Sequence, residues 1–172
     1  GRLQTVPSWW SENPRRFAAP FADALRKSDE VERALEVIRV GLELNPDYIP
    51  GSVILGRCHL DLGNDEGAEA AFSRVLDLDN ENVIALKSLA DIMERQGRPD
   101  EAISFLTYLL DVDRSNDEAR EQLARIRANI RARRAAAEAA GVNFDALVQA
   151  LPEAEPDSLF SRASYFELQR LR

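Results

Sequence analysis

The feature that most constrains this chain is a spacing: residues of one kind recur 34 positions apart. Ala34, Ala68 and Ala102 are related by that step, as are Gly63 and Gly97. So are the small residues Ala22, Gly56, Ala90 and Ala124, each preceded by a large apolar one, Phe21, Leu55, Leu89 and Leu123. Ile38, Phe72 and Leu106 form another column, followed by Leu42, Leu76 and Leu110, and by Leu44, Leu78 and Val112. A fixed period in this size range sets the architecture before any local choice does, because each unit can bury its apolar face only against its neighbours. Within a unit the apolar positions follow the helical period, and Gly63 or Gly97 splits two such stretches.

Antiparallel helix pairs explain the pattern. A small residue in each helix lets two backbones approach, and the bulky columns fill the space between neighbouring pairs. The glycine between the helices supplies a left-handed or tight-turn conformation at low steric cost. Asn45 with Pro46 ends one unit and opens the next, since the residue before a proline is pushed out of the helical region.

These residues resemble the tetratricopeptide repeat family, whose unit is a 34-residue helix-turn-helix. Residues 49–82 carry Leu55, Gly56, Gly63, Ala68 and Phe72 at the family's positions. Residues 83–116 carry Leu89, Ala90, Gly97 and Ala102, with an inter-helix run from Gly97 through Arg98, Pro99, Asp100 and Glu101. Residues 15–48 are a weaker copy: Asp29 replaces the turn glycine, and Pro20 falls inside the expected first helix. Pro20 is read as an early helix position, where its missing donor costs nothing, so that helix is expected to begin near it.

The resemblance implies an all-α fold, a right-handed α-solenoid of helix-turn-helix repeats with a long C-terminal capping helix. The expected organisation is an N-terminal arm over 1–14, three units over 15–116, and a capping helix over 117–140 that ends at Gly141. Arg131 stands where a fourth turn glycine would fall, which is why 117–140 reads as one helix. Residues 141–172 read as a short helix capped by Asn143, with Phe144, Leu147, Val148 and Leu151 at helical spacing. An acidic, proline-containing linker and an amphipathic C-terminal segment follow.

Composition narrows function. The net charge of −8 opposes general attraction to nucleic acid or an anionic membrane. A single cysteine, Cys58, excludes an intramolecular disulfide, and one histidine, His59, leaves no Cys/His metal spacing. No apolar run reaches the roughly 18 residues of a membrane span, so the chain reads as soluble, with the cytoplasm expected over the periplasm. It begins at Gly1, which leaves open a signal or anchor removed upstream.

Enzymatic patterns are lacking: there is no phosphate-binding glycine loop, nucleophile elbow or His-Glu-x-x-His pair. Neighbouring helical residues point about 100° apart, so Cys58 and His59 do not form a proton-sharing pair. The acids at Asp77, Asp79 and Glu81 and at Asp111 and Asp113 read as solvated turns with capping carboxylates. No catalytic residue, metal ion or cofactor is expected. Arg125, Arg127, Arg131, Arg133 and Arg134 form a stretch without acids, read as a solvated cap at a helix C-terminus. The alternative is an anionic contact, RNA or lipid included, with an acidic protein surface placed ahead of RNA because no stacking aromatics are interleaved.

The resemblance implies that the first helix of each pair lines a concave, partner-binding groove. The matching positions are Asp23, Arg26 and Lys27, then Val53, Arg57, Leu60 and Asp61, then Ile84, Lys87, Asp91, Glu94 and Arg95, continued by Glu121 and Arg125. The family's clamp for a terminal carboxylate is absent, since Ala19 and Asp23 occupy its first positions. Trp9 and Trp10 read as a cap over the first helix pair, and the segment with Phe160 and Phe166 as packing on the chain's own repeats or fraying as a terminus; the alternative for all four is a second contact with a partner. The functional expectation is an adaptor or scaffold that binds a protein or peptide. The rival is a permanent accessory subunit of a larger assembly, including a membrane-bound one.

Overall fold

A glycine or a tolerant aspartate marks the middle of each repeat, and the backbone shows why. In the computed structural model Asp29, Gly63 and Gly97, one column of the repeat, all take the left-handed conformation, with φ of 63°, 70° and 73°. That conformation turns the next N–H back onto the preceding helix: Glu30 donates to Leu25 O, Asn64 to His59 O and Arg98 to Met93 O, at 2.9, 2.8 and 2.8 Å. These bonds satisfy carbonyls that a helix end otherwise leaves open. An L-residue pays a steric penalty in this region that glycine avoids. Asp29→Gly is therefore expected to stabilise the chain by about 0.5–1 kcal/mol, read as a rise in the urea midpoint; an unchanged or lower midpoint contradicts it.

The structure describes residues 14–141. Trp9 and Trp10, and Phe160 and Phe166 with the short helix expected near Asn143, lie outside the described residues. The elements are α1 (Pro14–Lys27), α2 (Val31–Leu44), α3 (Ile49–Asp61), α4 (Asp65–Leu78), α5 (Val83–Arg95), α6 (Pro99–Val112) and α7 (Asp117–Ala139). Among the described residues there is no strand, and the architecture is an all-α helical repeat fold. α7 is uninterrupted where earlier units turn, and it stops just before Gly141, which has a φ of 80°.

The junctions between repeats are built from short polar side chains. Asp79 Oδ1 accepts from the Glu81 N–H and Asp113 Oδ1 from the Ser115 N–H, so the acids at these unit ends are turn caps. Asn82 and Asn116 lie three residues further on. Each accepts a first-turn N–H of the following helix, from Ala85 at 3.1 Å and from Ala119 at 3.0 Å.

One expectation needs correcting. Pro20 does not open the first helix; α1 begins at Pro14 and runs through Pro20. A proline inside a helix forfeits the bond to the carbonyl four residues back, here that of Arg16. Pro20 is exposed, so water can reach the orphaned carbonyl. The rule that places proline at the first helical position holds at Pro14 instead.

The chain divides into two compact units, one up to Ala85 and one from Leu86 onward. In the first unit Ala18, Ala22, Ala34, Ile38, Ile54 and Cys58 lie at the centre of a buried cluster. Close approach there depends on missing side chains. A Cβ on Gly41 would lie 2.5 Å from Ala18 Cβ, and one on Gly56 would lie 2.7 Å from the Phe72 ring. In the second unit Leu86, Leu89, Ile92, Met93, Leu106 and Leu109 are fully buried, with Phe105 and Ile126 nearly so.

Candidate functional site

In the second unit the expected groove positions converge. Lys87, Asp91, Glu94 and Arg95 of α5 and Glu121 and Arg125 of α7 line one open cavity of about 700 Å³, together with Glu118 and Gln122. Register alone accounts for the α5 set, since 87, 91, 94 and 95 share one helical face. Lys87 Nζ contacts both Asp91 carboxylate oxygens, at 2.8 and 2.9 Å, and Glu118 Oε1 at 3.2 Å. Arg125 donates through both terminal nitrogens to the Glu94 carboxylate. Gln122 Nε2 donates to Asp91 Oδ1 and Glu94 Oε2, both at 2.8 Å, and joins these pairs into one network.

Electrostatics follow from this geometry. The Arg125 guanidinium and, after it, the Gln122 amide hold the Glu94 carboxyl below its ordinary range, against the upward pull of partial burial. Burial acts to lower Lys87, but Asp91 and Glu118 outweigh it and raise its pKa. Most charges in the cavity therefore answer one another inside the protein. Glu121 is exposed and has no ion-pair partner among the described residues.

The first unit carries a second network. Arg26 of α1 donates to Asp61 Oδ2 of α3 at 2.8 Å and to Asp23 Oδ1 at 3.0 and 3.1 Å, while Lys27 Nζ lies 2.6 Å from Asp23 Oδ2. Burial by itself would raise the Asp23 carboxyl, but the bonds from Lys27 and Arg26 bring it below its ordinary value. Arg57 and Leu60 are half-buried, and Ile84 is 44% exposed. Val53 is only 7% exposed, so its side chain contributes to the core of the unit and offers a partner little surface.

Asp23 and Glu94 give a pH dependence with a definite sign. Both folded pKa values lie below the unfolded ones, so their contribution is complete above the ordinary values of 3.8 and 4.5. It disappears as the pH falls through the lowered folded values. Urea unfolding between about pH 6 and about pH 2.5 is expected to show stability falling below about pH 4.5, and Glu94→Gln is expected to flatten that fall. A variant as acid-sensitive as the parent would show that Glu94 carries none of it.

Cys58 and His59 occupy structural positions. Cys58 is fully buried, and burial pushes its thiol up to about 11, which keeps it protonated at neutral pH. His59 is held below its ordinary value by burial and by Arg39. Its Nδ1 lies 3.2 Å from Asn64 Nδ2, and Asn64 Oδ1 accepts the Gly67 N–H at the start of α4. The imidazole thus steadies a helix cap. Among the described residues no group of three His, Cys, Asp or Glu is arranged to hold a metal ion, and no helix is long and apolar enough to cross a membrane.

Sequence reasoning missed Glu118 and Gln122. Glu118 stands one period beyond Ile84 and was legible from the register. Gln122 had a fainter signal, a polar residue beside Leu123 on the buried face of a helix. It is 7% exposed, and its Oε1 has no hydrogen-bond partner.

Comparison with known proteins places this geometry in context. The family model for the tetratricopeptide repeat matches residues 20–83 and 55–118. The cytochrome c-type biogenesis protein CcmH of Escherichia coli (strain K12) is 30% identical over 125 residues, covering 67% of this chain and 35% of that protein. The chain thus spans about a third of the length of the curated relatives it matches. Among solved structures, the first TPR of Spaghetti (RPAP3) bound to an HSP90 peptide superposes with a TM-score of 0.64 at 14% identity, covering 69% of this chain and 96% of that one. YrrB, a TPR protein with an unusual peptide-binding site, gives 0.63 at 24% identity, covering 70% of this chain and 63% of that one. At these identities the likeness to both structures is one of fold.

Proposed function

Because this chain belongs to the tetratricopeptide repeat family, we propose that it is an adaptor whose exposed first-helix faces hold a segment of another protein. The observation that carries this reading is the cavity of about 700 Å³ in the second unit, where six side chains implied by the family resemblance meet. Its charges are of both signs and largely paired within the protein. Such a surface exerts little long-range pull; it selects a partner that can replace Lys87–Asp91 and Arg125–Glu94 with pairs of equal quality. The HSP90 peptide of the RPAP3 structure, SRMEEVD, has three acids among its last four residues; in this cavity Lys87 and Arg125 are already engaged by acids, which argues against a ligand of that charge.

The test uses Glu121→Arg, which changes an exposed cavity residue without touching the internal network, and Glu36→Arg, at an exposed position on α2, as a control. Bait protein is incubated with extract of the source cell, and retained proteins are compared among the three forms. A protein held by the parent and the control but released by Glu121→Arg supports the reading. Equal retention by all three, or retained nucleic acid alone, sinks it.

The similarity to CcmH favours a second reading, in which the chain is an accessory part of a larger assembly. Size separates the two: an adaptor remains monomeric and folded when purified, whereas an obligate subunit is stable only with its partners. Light scattering on the purified full chain decides between them.

A further inference from the structure

In each of the first three repeats the small residue of the first helix is covered. Ala22 and Ala90 are 0% exposed, and Gly56 is buried against Phe72 of its own second helix. The fourth member of this column, Ala124, is exposed. The cause is local: Arg131 occupies the column of Asp29, Gly63 and Gly97 but stays helical, so α7 runs on and no second helix lies beside it among the described residues. An open groove of about 560 Å³ remains between α6 and α7, lined by Ile103, Ala124 and Ile130 and by Asp100, Arg127 and Arg131.

We propose that this groove is filled by the chain's own residues 144–157, with Phe144 to Leu151 lying back along α7 as far as Ile130 and the residues after Leu151 continuing over Ala124. Three observations support the occupant. Phe144, Leu147, Val148 and Leu151 repeat the spacing of the buried faces of α4, at Ala68, Ala71, Phe72 and Val75, and of α6, at Ala102, Phe105, Leu106 and Leu109. Charge is complementary: from Val142 to Ser161 the chain has Asp145, Glu153, Glu155 and Asp157 and no lysine or arginine. Arg127, Arg131 and Arg133 of α7 are exposed and make no ion pair among the described residues.

Reach is the third. Gly141 turns left-handed at the end of α7, which permits reversal of the chain. At helical rise Ile130 lies about 17 Å back from Gly141 and Ala124 about 26 Å. Three extended residues span about 10 Å and cross the roughly 9 Å between packed helix axes, and a helix from Phe144 then carries Leu151 to about 16 Å back, level with Ile130, so that the acids from Glu153 onward pass Arg127. The proposal is independent of the concave-face reading, since it uses the opposite flank of α7.

The test is a disulfide in the full chain. In a Cys58→Ala background, Ile130→Cys with Leu151→Cys should oxidise to a monomeric, faster-migrating species. Asn129→Cys with Leu151→Cys, one residue away and about 100° around the helix, should close about tenfold more slowly. Dimers alone would assign the groove to a second copy and overturn the proposal, as would free thiols. Independently, Leu147→Asp with Leu151→Asp should speed amide exchange over residues 124–131 by about tenfold or more; unchanged exchange there also overturns it.

Discussion

Phe72→Ala is expected to lower the stability of the first unit by about 3–5 kcal/mol, a large share of the roughly 5–15 kcal/mol that holds a domain together. The ring is 0% exposed, and its inner edge faces the bare backbone of Gly56. Deleting it removes the transfer free energy of a benzyl group and leaves a void. Collapse into the void is limited, because Gly56 has no side chain to move and α3 is held at its other end by the Arg26–Asp61 pair. Leu106 occupies the same column in the second unit, but it is a smaller side chain than phenylalanine, and Ala90 stands there in the column of Gly56. Leu106→Ala should therefore cost less, within the usual range of about 2–5 kcal/mol. Urea unfolding followed by circular dichroism provides both values; a loss below about 1 kcal/mol for Phe72→Ala would mean that the ring does not bear on the helix pair.

The same columns explain why so much of the fold was legible. A 34-residue step repeated in several positions leaves few ways to bury the apolar faces, so among the described residues the turn positions and the uninterrupted α7 are readable from Gly63, Gly97 and Arg131. Asp29 is instructive because side-chain identity obscured what backbone position required: its φ of 63° matches that of the glycines. Pro20 departs from its expected place because its tolerance inside a helix depends on facing water, a property of the folded surface and not of the local sequence. The candidate site was half legible. The resemblance to the repeat family implies Lys87, Asp91 and Glu94, but not which of their charges are cancelled, since that depends on the Gln122 amide arriving from α7. Val53 and Lys87 share one register position and differ in fate. A valine there can only pack, whereas a lysine buries its stem and carries its ammonium to the rim.

Gly56→Ala is expected to destabilise the first unit by about 1–3 kcal/mol, although alanine is the better helix former by nearly 1 kcal/mol. The added Cβ would sit 2.7 Å from two ring carbons of Phe72, closer than carbon atoms approach, so the ring or the helix must move. The repeats indicate how the conflict is relieved. Glycine stands with phenylalanine in one unit, while alanine stands with isoleucine at Ala22 and Ile38 and with leucine at Ala90 and Leu106. The larger side chain thus appears where its partner is smaller, as close packing of two backbones at a fixed separation demands. Gly56→Ala combined with Phe72→Leu recreates the Ala90 and Leu106 combination, and the double variant should be more stable than the sum of the single changes implies. A coupling of about 0.5–3 kcal/mol is expected for residues in such contact. Additivity within about 0.5 kcal/mol would show that the two positions adjust independently, and that the paired columns do not set the spacing of the helices.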